Sequence, residues 1–172
     1  ALCIGYNAKA QTVYYPARAS QLMKATAQDA AFLLQKAIPG SQFNTQEYSN
    51  MPATGVILIY DTSITDNQAC RAESNGYNVI KFTAAEDNGL HFGIYQYLHQ
   101  LGFRFYQPGS AWEIIPSLSS AFKSIDTTFS CSYKYKTWFV SGGHSRWIMD
   151  NTTVYNWDNY LGENGHNWAL YQ

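Results

Sequence analysis

Apolar positions along this chain switch between two periods, and each switch marks an element. Thr12-Val13-Tyr14-Tyr15-Pro16 is a β-rich run stopped by proline, which predicts a first strand. Leu22, Met23, Ala27, Ala30, Ala31, Leu34 and Ile38 then recur at three- and four-residue steps. That spacing predicts a helix from Gln21 to Ala37 with one apolar face, capped by Ser20 and ended by Pro39-Gly40. Ser41 to Thr54 is polar and is expected to be a connection. Gly55 through Asp61 is continuously aliphatic, as befits a central strand buried on both faces. Thr62 to Asn75 reads as loop, and Tyr77 to Thr83 alternates as another strand.

A second helix is the clearest reading. Glu86-Asp87 supplies negative charge at its start, and Leu90, Ile94, Leu98 and Leu101 fall on one stripe beside Phe92, Tyr95 and Tyr97. Gly102 closes it. Phe103-Arg104-Phe105-Tyr106 predicts a short strand, Gln107-Pro108-Gly109 a turn, and Glu113 to Pro116 an extended segment, because a residue before proline avoids helix. Ser124 to Phe129 and Ser132 to Val140 predict two more strands. Two amphipathic helices among about six strands give an α/β (α+β) domain, a sheet with helices packed on at least one face. After Val140 the periodicity is lost. Ser141-Gly142-Gly143 reads as a joint, and Trp147, Trp157 and Trp168 follow among polar residues.

Composition narrows the function. Apolar residues make up 46% and charged residues 13%, which argues against disorder. A net charge of −1 gives a phosphate backbone no basic face to meet, so nucleic acid is not an expected partner. The longest apolar run, Val56 to Tyr60, falls far short of the roughly 20 residues a membrane span needs. Ala8-Lys9-Ala10 fits the small-x-small pattern of a signal-peptidase site, so residues 1–10 are expected to be a signal-peptide remnant and the protein secreted or periplasmic. Cys3 would leave with that peptide. Cys70 and Cys131 would remain, either as one disulfide or as two buried thiols.

The segment Asn88-Gly89-Leu90-His91-Phe92-Gly93-Ile94-Tyr95-Gln96-Tyr97-Leu98, followed by Leu101-Gly102-Phe103-Arg104-Phe105-Tyr106-Gln107-Pro108-Gly109, carries a resemblance. It resembles the N-terminal domains of family 67 α-glucuronidases, family 20 β-hexosaminidases and related secreted hydrolases, with Glu113-Ile114-Ile115-Pro116 in the extended slot that follows. The order of elements agrees from about Thr12 to Val140. The departure is a missing strand before the second helix, where the family commonly has two. The resemblance implies a mixed, mainly antiparallel sheet with two helices on one face. It also implies an accessory role for residues 11–140, in front of a catalytic (β/α)8 barrel whose truncated start would be residues 141–172.

Candidate chemistry is sparse. Glycoside hydrolysis needs two facing carboxylates, and no such pair is recognisable, so no catalytic residue is assigned. His91, His99, His144 and His166 lack metal-ligand spacing, and no cofactor motif occurs. Arg146, Trp147, Asn151, His166, Asn167 and Trp168 are of the types that stack on sugar rings and hydrogen-bond hydroxyls. They are the candidate substrate-binding residues, with an aromatic domain–barrel interface as the alternative. The expected function is therefore a non-catalytic accessory domain of a secreted glycoside hydrolase, its partners the downstream barrel of the same polypeptide and a carbohydrate substrate. The alternative is a stand-alone carbohydrate-binding module using surface aromatics.

Overall fold

The structure is a computed structural model and describes residues 10–105 and 113–131. β1 (Ala10–Pro16) leads into α1 (Gln21–Ala37), which returns the chain to β2 (Gln42–Tyr48) and then β3 (Gly55–Tyr60). β4 (Cys70–Ser74) and β5 (Val79–Ala84) form a hairpin ahead of α2 (Asp87–Gln100). β6 (Arg104–Phe105) and β7 (Glu113–Ile114) make a small separate sheet, and β8 (Ile125–Phe129) joins the main one. Among the described residues the main sheet has six strands, in the order β2-β1-β3-β5-β4-β8.

Three of its five strand pairs, β2–β1, β1–β3 and β3–β5, are parallel; β5–β4 and β4–β8 are antiparallel. The sheet is thus mixed but not mainly antiparallel, and the expectation drawn from the resemblance is corrected. The cause is β2. A crossover through α1 must lay the next strand parallel to β1, yet Gln42–Tyr48 looks like a connection because most of it is exposed and polar. It is an edge strand with a single buried anchor, Phe43. The strand that seemed absent before α2 is Cys70–Ser74, pairing Arg71 to Ser74 against Thr83 to Ile80.

Both helices lie on one face. Val13, Val56, Leu58, Ile80, Phe82, Cys70 and Ala72 point into a single core with Met23, Ala27, Leu33 and Leu34 of α1 and Leu90, Ile94 and Leu98 of α2. β3 is central as its aliphatic run predicts: Ile57, pointing away from the helices, is as fully buried as Leu58. α1 begins where expected, with the Ser20 hydroxyl accepting from Met23 N–H at 3.1 Å. Gly102, in the left-handed region at φ 106°, ends α2.

One device repairs the join between β1 and β3. Pro16 closes β1 and has no N–H to donate, and the paired register of β1 with β3 ends at Tyr14 and Ile57. Just beyond it the Tyr48 hydroxyl donates to the Leu58 carbonyl at 2.8 Å. Cys70 and Cys131 are free thiols, so of the two readings of the cysteines the disulfide is not formed. Cys70 is buried and Cys131 half-buried.

Candidate functional site

β3 and β5 run parallel, so both end at the same edge of the sheet, and α2 begins there beside the start of α1. Tyr60, the last residue of β3, ties these starts together. Its hydroxyl accepts from the Ser20 N–H and donates to Asp87 Oδ1. The Arg18 guanidinium lies over the Tyr60 ring, 5.3 Å from its centroid. Burial pushes the Tyr60 phenol above its ordinary range, and the Asp87 carboxylate adds to this, against smaller opposing effects from Ser20 N–H and Arg18. It stays protonated at neutral pH and serves as a donor, not as a base.

A shallow depression of about 400 Å³ opens here, lined by Leu22, Tyr60, Glu86, Asp87 and Asn88. Glu86 occupies the N-cap position of α2 without a side-chain capping bond. The available chemistry is hydrogen bonding and charge attraction at the positive ends of two helices. Glu86 and Asp87 are neighbours on one strand-to-helix junction, so they do not flank a bond as a hydrolytic pair must.

The second polar cluster lies between the helices. Thr26 Oγ1 is 2.9 Å from His91 Nδ1 and donates its own proton to the Leu22 carbonyl at 2.9 Å. With that proton committed, His91 Nδ1 is the donor to Thr26, and the pair is not a base poised to activate a hydroxyl nucleophile. Tyr95 donates to Asp29 Oδ2 at 3.2 Å, and the His91 and Tyr95 rings are 4.9 Å apart. Asp29 is 5% exposed, so this bond compensates part of the cost of burying its carboxylate. On α2's last turn, burial and, secondarily, the Arg104 charge hold the His99 imidazole below its ordinary range.

Four further described acids are occupied in structure. Asp61 and Asp66 accept turn N–H groups from Ser63 and Gln68, and Glu73 and Asp126 both pair with Arg71. Among the described residues no group of three or more His, Cys, Asp or Glu side chains could hold a metal ion. No described helix is long and apolar enough to cross a membrane.

Arg146, Trp147, Asn151, His166, Asn167 and Trp168 lie outside the described residues, as does the expected strand from Ser132 to Val140. Sequence reasoning missed Arg18, Thr26, Asp29 and Tyr60. Asp29 did leave a signal, a carboxylate inside the apolar stripe of Ala27, Ala30 and Ala31. Tyr60 left none, because it completes an aliphatic strand.

No family model and no curated protein matches this chain. Among solved structures it is similar to one described as the structure and activity of the GH20 beta-N-acetylhexosaminidase from Streptomyces coelicolor A3(2). The TM-score is 0.48 and the identity 18%, over 77% of this chain. The match spans 24% of that structure's chain, so this protein corresponds to about a quarter of its length.

Proposed function

We propose that residues 11–140 form an accessory domain of a secreted or periplasmic glycoside hydrolase, without catalytic activity of its own and supporting a barrel encoded further along the same polypeptide. The observation that carries this reading is the use made of the segment bearing the family resemblance. Gly89 and Gly93 let α2 approach β4, Leu90, Ile94 and Leu98 fill the core, and Gly102 turns the chain. Arg104 donates to the His99 and Phe103 carbonyls at 2.8 and 2.6 Å. Apart from Asn88 at the depression, these described residues of the segment are spent on building the domain, as suits a supporting role.

The test has two parts. Antibodies raised against residues 10–131 are expected to detect, outside the cytoplasm, a polypeptide several times longer than this chain. The 172-residue chain is expected to unfold cooperatively and to release nothing from aryl glycosides or polysaccharide. Release of sugar by this chain, or a short cytoplasmic species in the cells that make it, overturns the reading.

One observation favours the carbohydrate-binding alternative. Tyr77, 78% exposed, stands on a turn braced by Asn75. Fluorescence quenching of the isolated chain by oligosaccharide, lost in Tyr77→Ala, would support that reading over the first.

A further inference from the structure

Of the three Asn-Gly steps in the sequence, Asn75-Gly76 and Asn88-Gly89 lie among the described residues, and the structure places them in opposite settings. An Asn followed by Gly is prone to cyclise, because no side chain hinders attack of the glycine nitrogen on the Asn side-chain carbonyl. The reaction still needs a conformation in which that nitrogen can reach the carbonyl carbon. It also needs stabilisation of the oxyanion that forms and somewhere for the nitrogen's proton to go.

Asn75-Gly76 supplies the last two. It forms the exposed tip of the β4–β5 hairpin, with Gly76 in the left-handed region at φ 75°. Asn75 Oδ1, the atom that becomes the oxyanion, faces the backbone N–H groups of Tyr77, Asn78 and Val79 at 2.9, 3.2 and 3.4 Å. The attacking nitrogen, Gly76 N, already points its proton at Ser74 Oγ, 3.1 Å away. The leaving nitrogen, Asn75 Nδ2, is in the open and bonded only to the Asn78 side chain among the contacts resolved, at 3.1 Å. Asn88-Gly89 is the converse. It lies in the first turn of α2, where helical dihedrals fix the backbone and Gly89 is wedged against Ala69 and Ala84.

We propose that Asn75 is a site of spontaneous covalent modification, converted by intramolecular cyclisation and hydrolysis to aspartate and isoaspartate, while Asn88 is not. The Gly76 nitrogen, oriented by its bond to Ser74 Oγ, forms a bond to Asn75 Cγ and yields its proton to solvent base, since the Ser74 hydroxyl proton is itself held by the Val79 carbonyl at 2.8 Å. The carbonyl π pair moves onto Oδ1, held by the three N–H groups. Collapse expels Nδ2 as ammonia, leaving a succinimide. Water then adds at one of the two ring carbonyls and opens the ring, so that the sum is amide plus water giving acid plus ammonia, with no redox change.

The two products differ in consequence. Aspartate keeps the three N–H contacts and leaves the turn intact. Isoaspartate adds a methylene to the backbone where there is no slack. A single Cβ added at Gly76 would come within 3.0 Å of Ser124, immediately before β8. The lengthened turn therefore loosens the β4–β5 hairpin and its junction with β8.

The experiment ages the folded 172-residue chain in mildly alkaline buffer and maps it with trypsin. Cleavage after Arg71 and Lys81 isolates residues 72–81, which hold Asn75 and Asn78; cleavage after Arg104 isolates residues 82–104 with Asn88. The first peptide is expected to gain the mass of an acid and to split into two chromatographic forms, with the change at Asn75 and not at Asn78. The second is expected to keep its amide. The folded chain is expected to react at least as fast as a synthetic peptide of residues 72–81, and Ser74→Ala to slow it. Asn75 reacting no faster than Asn88, or more slowly in the folded chain than in the free peptide, overturns the proposal.

Discussion

The two ends of the sheet solve the same packing problem in different ways. At the parallel end α1 stands off from β1 and β2 on Met23, Leu33 and Leu34, all buried, with alanines between them. At the antiparallel end α2 comes down so close to β4 that side chains are excluded. A Cβ on Gly93 would lie 2.3 Å from Cys70 Sγ, and one on Gly89 would lie 2.6 Å from the Ala69 carbonyl oxygen. α2 fills the core beside it with Leu90, Ile94 and Leu98, and is tied to the segment ahead of β8 by the Tyr97 hydroxyl, which donates to the Ala121 carbonyl and accepts from Lys123 N–H, each at 2.8 Å. A stand-off helix depends on filling volume. A close-packed helix depends on the absence of volume, so equal-sized substitutions have opposite signs at the two ends.

The largest expected effect is at the stand-off end. Leu33→Ala leaves a cavity and lowers stability by about 3 kcal/mol in urea unfolding, within the range for buried Leu truncation. At the close-packed end the enlarging change is the damaging one. Gly93→Ala, which on an exposed helix would stabilise by about 1 kcal/mol, instead costs about 2 kcal/mol through overpacking. A neutral or stabilising Gly93→Ala would sink the contrast.

A third expectation concerns pH and belongs to the α2 end. Burial pushes the Cys70 thiol up to about 12, opposed only in part by a Thr83 backbone hydrogen bond. The folded state therefore holds this proton more tightly than the unfolded chain, whose thiol titrates near about 8.5. Stability is full below that value and falls as pH rises towards the folded value, by at most about 1.4 kcal/mol per pH unit for one proton. Above about pH 10 Tyr97, also pushed up to about 12 by burial, steepens the fall. Urea midpoints taken through this range in the wild type and in Cys70→Ala check it, since the variant loses the first part of the slope.

The smallest effect returns to the parallel end. Tyr48→Phe removes the hydroxyl that donates to the Leu58 carbonyl beside the end of β1, costing about 1 kcal/mol. The same substitution at Tyr14, for which no hydroxyl hydrogen bond is resolved, serves as the reference.

What could be read from the chain divides along the same line. α1, β3 and α2 were legible to within a residue or two because each carries its own signal: a capped period of three to four for the helices, an unbroken aliphatic run for a strand buried on both faces. β8 was legible as the run from Ser124 to Phe129. β2 and β4 were not. Gln42–Tyr48 has a single buried residue, and Cys70–Ser74 only two, so neither presents a face that its own sequence could announce. They are strands because β1 and β5 offer open ladders beside them. The candidate sites follow suit: Tyr60 meets Asp87 across 27 residues, Thr26 meets His91 across 65, and Asp29 meets Tyr95 across 66.

The sequence by itself determined which segments are amphipathic, where the helices start and stop, and which strand is central, since those depend on neighbours within a turn or two of the chain. Only the tertiary structure decided that the sheet is parallel on one side and antiparallel on the other. It alone also decided that Gly93 must lack a side chain, and that two carboxylates are tied to tyrosines. Strand direction, close approach and buried hydrogen bonds are properties of pairs distant in sequence, and a pattern along one chain does not encode its partner.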